Sequence, residues 1–96
     1  SSYVGVKEEN KDVELSVYPN PFSLTSNVEF TLQKPSVVQV EICNFLGAVV
    51  YSETARKYSG GTNKIQINSS NLESGVYLLK LTVDNKTFTR KVSVIK

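Results

Sequence analysis

The single cysteine of the chain, Cys43, is its most nucleophilic side chain, and the chain has no histidine to activate it. The absence of histidine removes the commonest general base and the commonest metal ligand. A thiol without a neighbouring base is a poor nucleophile, and a free cysteine on a strand usually packs as a small apolar side chain. Zinc would also need ligands that this sequence lacks. The sequence therefore predicts neither nucleophilic catalysis nor a zinc site.

Carboxylates are the other side chains that could do chemistry. Glu29 and Glu41 fall on predicted polar strand faces and could lie close together, as an acid and base for glycoside hydrolysis must. That reaction needs a cleft and one raised pKa, which the exposed faces of a small sandwich do not supply. Asp12 and Glu14 near the linker could hold a calcium ion, but two acids without an oxygen-rich loop are a weak signal for such a site. We therefore expect no enzyme activity, no metal and no cofactor.

Basic residues are concentrated in the second half of the chain. Residues 1–48 have three lysines and six acids, a net charge of −3, and residues 49–96 have eight basic residues and three acids, a net charge of +5. This asymmetry forms either a bipolar binding surface or a solvated exterior whose lysines protect sheet edges. The total of +2 predicts no nucleic-acid partner.

Apolar and polar residues alternate after residue 12, which is the pattern of half-buried β-strands. Seven strands are predicted from these apolar positions: Val13, Leu15 and Val17; Val28, Phe30 and Leu32; Val38, Val40 and Ile42; Val49 and Tyr51; Ile65 and Ile67; Tyr77, Leu79, Leu81 and Val83; Phe88, Val92 and Val94. The fourth strand is predicted over residues 48–58. Cys43 is predicted on the polar face of the third strand, and Arg90 in the seventh can bury its stem while its guanidinium stays in water.

Turn signals separate these strands at intervals of about 8–12 residues. Asn44-Phe45-Leu46-Gly47 suits a type I turn followed by a positive φ at Gly47. Gly60-Gly61 divides the fourth strand from the fifth, and Asp84-Asn85 suits a two-residue hairpin turn. No apolar pattern has the period of a helix. We therefore predict an all-β domain, a seven-stranded immunoglobulin-like antiparallel β-sandwich.

Two prolines, Pro19 and Pro21, interrupt the chain after the first predicted strand. The residue before a proline is excluded from the helical region, so Tyr18 and Asn20 are held extended. Neither proline can donate a hydrogen bond to a sheet. The first strand must end here, and Pro19, Asn20 and Pro21 are predicted to form a stiff structural corner.

The first twelve residues are polar and charged, which is typical of a linker. We predict that residues 1–12 join something upstream to one folded domain, residues 13–96. No apolar run approaches the roughly 18 residues of a membrane-spanning helix, and the start lacks the regions of a signal peptide. The chain is thus expected to be cytosolic, or a piece of a larger exported protein whose leader lies elsewhere.

Five motifs follow one another along the chain: Tyr18-Pro19-Asn20-Pro21, Asn44-Phe45-Leu46-Gly47, Gly61-Thr62-Asn63, Leu72-Glu73-Ser74-Gly75-Val76-Tyr77, and Lys91-Val92-Ser93-Val94-Ile95-Lys96. In this order they closely resemble the type A C-terminal sorting domain of the type IX (Por) secretion system of Bacteroidetes-type bacteria. The resemblance covers about residues 13–96.

This resemblance implies a non-catalytic signal that directs an exported cargo through the outer membrane. The implied partners are the outer-membrane translocon, a surface peptidase that cuts in the preceding linker, and the cargo itself. The implied location is the periplasm in transit, then the cell surface or the medium. No catalytic residue of the family exists to be carried over.

The resemblance also assigns residues to roles. Recognition by the translocon is assigned to Gly75, Val76, Tyr77, Lys91, Val92, Val94 and Lys96. Structural positions are Pro19, Asn20, Pro21, Gly47 and Gly61. By their chemistry, Gly75 suits an entry into a strand that a side chain would obstruct, and Tyr77 is a core ring whose hydroxyl needs a partner. Lys91 and Lys96 either meet an acidic receptor or keep the final strand from pairing with other chains.

An alternative function is a carbohydrate-binding or spacer module of an extracellular enzyme. Sugar platforms typically need exposed aromatic side chains, but the chain has no tryptophan, and Tyr51, Tyr77 and Phe88 are predicted to face inward. The remaining aromatic candidates near turns are Tyr18, Phe22, Phe45 and Tyr58. A homodimer formed by strand exchange is also plausible, because the edges of an isolated sandwich invite pairing.

Overall fold

The computed structural model of the chain describes residues 13–96, and the predicted linker 1–12 lies outside the described residues. Within residues 13–96 the chain forms eight strands and no helix. The strands are β1 (Val13–Tyr18), β2 (Thr25–Leu32), β3 (Ser36–Cys43), β4 (Val49–Ser52), β5 (Arg56–Tyr58), β6 (Gly61–Asn68), β7 (Gly75–Val83) and β8 (Lys86–Val94). The predicted all-β class is therefore confirmed.

The strands form two antiparallel sheets that pack face to face. One sheet has three strands in the order β1-β2-β6, and the other has five, in the order β4-β3-β7-β8 with β5 also paired to β3. The alternating apolar residues of both sheets form one core, in which Phe30, Ile42 and Leu79 are completely buried. This arrangement confirms the predicted immunoglobulin-like sandwich.

The predicted single strand over residues 48–58 is wrong, because the chain forms two strands there. Both pair with β3: β4 pairs at its Cys43 end, and β5 pairs at its Ser36 end. Residues 53–55 between them, Glu-Thr-Ala, have no large apolar side chain to place in the core. Glu53 remains hydrogen-bonded to Val40 and Gln39 of β3, but the ladder pairing with β3 is interrupted between Ser52 and Arg56, so the sandwich has eight strands rather than seven.

A β-bulge between Ile42 and Cys43 turns Val49 away from the core. Tyr51 pairs with Ile42 and packs against the core, whereas Val49 pairs with Cys43 and is 52% exposed. Strict alternation would place the side chains of Val49 and Tyr51 on the same face of the sheet. The extra residue of the bulge shifts the alternation by one position, so the two side chains point to opposite faces. Cys43 lies on the outer face as predicted, yet it is buried between Val49 and Leu78.

The two sheets are linked by chain crossings, by ring packing and by a side-chain hydrogen bond. The chain passes from β5 in one sheet to β6 in the other at Gly61, which has a φ of +98°. The rings of Phe30 and Tyr58 meet edge to face with 5.5 Å between their centroids. The guanidinium of Arg90 in β8 donates a hydrogen bond of 3.4 Å to the carbonyl oxygen of Leu15 in β1. Arg90 itself remains exposed, so its charged group stays in water.

Candidate recognition surface

The β7–β8 hairpin carries all of the predicted recognition residues except Lys96, which follows it. Its pairing runs from Gly75 opposite Val94 to the two-residue turn that begins at Asp84, where φ is +53°. The side chain of Asp84 accepts a hydrogen bond of 3.0 Å from the Val37 amide, and the Asp84 amide donates one of 2.8 Å to the Val37 carbonyl. The turn is therefore attached to the neighbouring strand β3 as well as closing the hairpin.

The other end of the hairpin is held by Tyr77. Its ring is buried, and its hydroxyl donates a hydrogen bond of 2.7 Å to the carbonyl oxygen of Glu73, the partner that the sequence called for. A Cβ atom at Gly75 would have Tyr77 Cε1 as its nearest neighbour, at 3.9 Å. That is an ordinary contact distance, so any preference for glycine at Gly75 comes from its φ of +159° and not from lack of space.

The predicted recognition residues divide into a buried and an exposed set. Tyr77, Val92 and Val94 are buried, with 9%, 0% and 2% of their surface exposed. Val76 is half-buried, and Gly75, Lys91 and Lys96 are exposed. A partner of the folded domain can therefore touch the exposed set, while the buried set packs β7 and β8 against the core.

The outer edge of β8 is covered by the proline-containing segment after β1. The side-chain amide of Asn20 donates a hydrogen bond of 3.1 Å to the Lys91 carbonyl and accepts one of 2.9 Å from the Ser93 amide. These are backbone groups that an edge strand would otherwise present to another chain. Asn20 thus pairs with β8 through its side chain as a neighbouring strand would through its backbone.

Phe22 continues this cover one step further along β8. Its amide donates to the Ser93 carbonyl and its carbonyl accepts from the Ile95 amide, both at 3.0 Å. Its ring is 2% exposed, which makes Phe22 part of the core and not the turn aromatic expected as a sugar-binding candidate. Pro19 is fixed at the same place, since its carbonyl accepts a 2.8 Å hydrogen bond from Ser26 Oγ.

Exposed apolar side chains gather at the end of the sandwich where β8 finishes, which we call the Val94 end. Among the described residues, every exposed large apolar side chain except Val37 lies toward this end: Tyr18, Leu24, Phe45, Leu46, Val49, Leu78 and Ile95. The sequence pattern drew attention to Phe45 only as an aromatic near a turn. The strand register was needed to show that it belongs with Val49 and Leu78.

The carboxylates considered for catalysis do not meet. Glu29 lies on the outer face of the three-stranded sheet, and Glu41 lies on the outer face of the five-stranded sheet. The two faces point in opposite directions, so the expectation that Glu29 and Glu41 could be close is wrong. Glu29 accepts a hydrogen bond from the Tyr18 hydroxyl, and Glu41 is paired across the strands with Lys80.

The environment of Tyr51 changes its pKa. Burial of the ring, together with its hydrogen bond to the Glu53 carboxylate and the charge of that carboxylate, raises the pKa of Tyr51 to about 12. All three causes disfavour the phenolate. Tyr51 is therefore a neutral hydrogen-bond donor over the physiological range and not an acid–base group.

Metal ligands do not come together in the described part of the chain, where no three His, Cys, Asp or Glu residues form a group that could hold an ion. Glu14 lies on β1, but its predicted companion Asp12 falls outside the described residues. Residues 13–96 contain no helix long and apolar enough to cross a membrane.

The fold and the covered hairpin define a small β-sandwich domain, and comparison with protein families identifies the family to which it belongs. Residues 16–96 match the family described as the secretion system C-terminal sorting domain. The match includes seven of the eight strands completely, and the chain belongs to this family. Its role is that of a type IX sorting signal for export to the cell surface or secretion. No curated protein matches the chain.

Solved structures support the fold. A domain of PorU from Porphyromonas gingivalis, crystallised in its dimeric latent form, matches with a TM-score of 0.70 and 20% identity over 86% of this chain. A domain of PorZ, an essential surface component of the type IX secretion system of the same bacterium, matches with a TM-score of 0.55 and 21% identity over 100% of this chain. The chain spans only 9% and 13% of these proteins, so the likeness concerns one domain of each.

Proposed function

We propose that the domain is a non-catalytic address that the outer-membrane translocon of the type IX system reads in its folded form. The cargo precedes it in the same polypeptide, passes through the periplasm, and ends at the cell surface or in the medium. The observation that carries this proposal is the family match over residues 16–96, which covers nearly the whole sandwich. The exposed Lys91 and Lys96 on the last strand and after it are the residues best placed to meet an acidic receptor.

The chemistry of the described residues supports the absence of catalysis. Cys43 is 2% exposed, and its neighbours across the strands, Val49 and Leu78, are apolar. A thiol buried to this degree is inaccessible to a substrate in solution. Glu29 and Glu41 lie on opposite sides of the molecule, so they cannot act on one substrate.

A reporter fusion tests the sorting role. A leader, a reporter and residues 1–96 are joined in that order and expressed in a host with a type IX system. We expect the reporter at the cell surface, and we expect it to stay in the periplasm when residues 86–96 are removed. Equal surface display of both fusions would contradict the proposal.

The truncation also removes the core residues Phe88, Val92 and Val94, so a second variant must keep the fold. Lys91→Glu and Lys96→Glu together reverse two exposed charges without touching the core. We expect this double variant to reduce display while the purified chain unfolds at the temperature of the wild type. Display equal to that of the wild type would remove Lys91 and Lys96 from the recognition site.

Cleavage in residues 1–12 is the second part of the proposal. Proteases cut extended, accessible chain in preference to paired strands, and the described sheet begins at Val13. Mass spectrometry of the surface reporter should find its new C-terminus within residues 1–12. A C-terminus beyond Val13, or an intact fusion in a cleavage-competent host, would contradict it.

The carbohydrate-binding alternative has little support in the structure. Tyr58, the residue on which that idea depended most, packs its ring against Phe30 in the core. Phe22 is buried, which leaves Tyr18 and Phe45 as the exposed aromatics among residues 13–96, at 39% and 75%. Retention of the purified chain on cellulose or chitin, lost on Phe45→Ala, would favour the alternative.

A further inference from the structure

We propose that the outer face of the five-stranded sheet, at the Val94 end, is the surface through which this domain docks onto a partner protein. The partner presents apolar side chains and one carboxylate. This inference rests on the proposed sorting function and names the part of the domain that is read. The surface, which we call the apolar row, consists of four apolar residues, Phe45, Leu46, Val49 and Leu78, with Lys91 at its β8 end.

The strand register places these residues side by side. Val49 in β4 is opposite Cys43 in β3, Cys43 is opposite Leu78 in β7, and Leu78 is opposite Lys91 in β8. All four side chains point outward from the sheet, since their neighbours in sequence fill the core. Four strands span about 14 Å. The β3–β4 turn adds two more apolar residues at the Val49 end of the row.

The conformation of the β3–β4 turn does not depend on its apolar residues, Phe45 and Leu46. The side chain of Asn44 accepts hydrogen bonds from the amides of Leu46 and Ala48 at 2.9 and 3.0 Å, and Gly47 supplies a φ of +88°. Asn44 and Gly47 therefore fix the turn, and any polar residue could occupy the two positions between them. Phe45 and Leu46 are nevertheless 75% and 92% exposed.

The outer face of the opposite sheet shows the contrast. Its outward positions are polar or charged except for Tyr18, whose hydroxyl donates to Glu29 and whose ring lies beneath the Lys64 ammonium group; the others are Glu14, Ser16, Asn27, Glu29, Thr31, Thr62, Lys64 and Gln66. A polar face is what a β-sandwich normally shows to water. At the Val94 end, the five-stranded sheet and its β3–β4 turn therefore expose Phe45, Leu46, Val49 and Leu78 together, whereas the three-stranded sheet exposes Tyr18 alone, and clustered exposure of this kind marks an interaction site.

The charges of the row favour a protein partner over a lipid surface. Glu41 and Lys80, in the adjacent row, face each other across β3 and β7. Lys91 has no described hydrogen bond or ion pair for its ammonium group, so it leaves one uncompensated positive charge beside Leu78. Binding to anionic lipid usually takes clusters of about 4–8 basic residues. One lysine beside an apolar strip suits a single carboxylate.

The size of the row argues against a second copy of this chain as its occupant. A stable interface buries about 800 Å² on each partner, and a strip four strands wide and roughly one side chain deep offers much less. An interface of this size suits a transient contact. A signal that must be released after it has been read needs a contact of that kind.

Two pairs of variants test the row in the reporter fusion described above. Phe45→Ser with Leu46→Ser removes the turn's apolar groups, and we expect surface display to fall about tenfold, as truncation of interface anchors does. Leu78→Thr should lower display in the same direction. Val37→Thr is the matched control for Leu78→Thr, because Val37 is 45% exposed on the same sheet face at the opposite end. It should leave display unchanged.

The charge is tested by Lys91→Arg, which should retain display, and Lys91→Glu, which should reduce it. All variants are purified as residues 1–96 and must unfold at the wild-type temperature, since none of the changed side chains is in the core. If the wild-type fusion is not displayed, both the proposed sorting function and the proposed docking role of the apolar row are contradicted. If the wild type is displayed and the Phe45/Leu46 variant is displayed equally well, this inference alone is overturned.

Two further measurements decide the kind of partner. Sedimentation of the purified chain should show a monomer, and flotation with phosphatidylglycerol vesicles should show no binding. A dimer that is lost on Phe45→Ser with Leu46→Ser would overturn the protein partner in favour of a second copy. Vesicle binding that is lost in the same variant would overturn it in favour of a membrane.

Discussion

Asn20 shows how a single side chain can replace a strand. Its amide makes two hydrogen bonds to backbone groups on the outer edge of β8, one to Lys91 and one to Ser93. Asn20 stands between Pro19 and Pro21, which have no backbone N–H to donate, so the contact with the edge at this point is made by the Asn20 side chain. The motif was predicted as a corner, and the role of Asn20 as cover for a distant strand became visible only in three dimensions.

Replacing Asn20 by alanine should destabilise the domain by about 1–2 kcal/mol, because two hydrogen bonds to a partly exposed edge are lost. Asn20→Asp keeps an acceptor for the Ser93 amide but loses the donor to the Lys91 carbonyl, so its effect should be intermediate. Urea unfolding followed by fluorescence or circular dichroism measures the change. Asn27→Ala, on the outward face of β2, is the control, and an equal loss there would contradict the assignment.

The pKa of Tyr51, raised to about 12, makes stability depend on pH in the alkaline range. The unfolded tyrosine loses its proton near pH 10, whereas the folded one keeps it to about pH 12. The contribution of Tyr51 is therefore complete below pH 10 and is lost as the pH rises from 10 to about 12. Melting temperatures from pH 9 to 12 should fall less steeply in Tyr51→Phe than in the wild type. Identical pH profiles would contradict the shift.

At the scale of elements, the passage from β5 to β6 moves the chain from one sheet to the other. Gly60 and Gly61 are adjacent there, but the backbone conformation requires glycine at only one of the two positions. Gly61 has a φ of +98° with nothing within 4 Å of an added Cβ, so only its conformation favours glycine. Gly60 lacks such a φ, and its Cβ would touch the Lys34 backbone at 3.4 Å, an ordinary contact.

Gly61→Ala should therefore destabilise the domain by about 1–2 kcal/mol, the cost of a left-handed conformation with a side chain. Gly60→Ala should change the free energy of unfolding much less. The two substitutions are one position apart, and denaturant unfolding of both variants measures the two changes in the free energy of unfolding. A larger loss at Gly60 than at Gly61 would show that space and not conformation limits this crossing.

At the scale of the whole molecule, the two turn-region phenylalanines have opposite roles. Phe22 is 2% exposed and completes the core under β8, whereas Phe45 is 75% exposed at the far side of the five-stranded sheet. The sequence placed both near turns and offered no ground for separating them. The sheet order made the distinction, because it brings residues 20–22 against β8 and leaves the β3–β4 turn uncovered.

Phe22→Ala should cost about 3–5 kcal/mol, as truncation of a buried phenylalanine does. Phe45→Ala should stay within about 0.5 kcal/mol of the wild type, as exposed positions do. Thermal unfolding of the two variants gives the comparison. A stability loss for Phe45 comparable to that for Phe22 would make Phe45 a structural residue and would weaken its assignment to a docking surface.

The sequence by itself determined the all-β class, most strands and the hairpin, because alternation and turn residues act locally along the chain. Val28, Phe30 and Leu32 needed only their own spacing to be recognised as core. The resemblance of five short motifs likewise indicated the sorting family.

The tertiary structure decided the features that depend on contacts between residues far apart in the sequence. The bulge at Ile42 and Cys43 reversed the face of Val49, and the assignment of strands to two sheets separated Glu29 from Glu41. Which motif residues a partner can touch was also decided there, since Val92 is covered by the opposite sheet and Lys91, its neighbour, is not. Local patterns fix which face of a strand is apolar, but register and sheet order, which join distant residues, fix what that face meets.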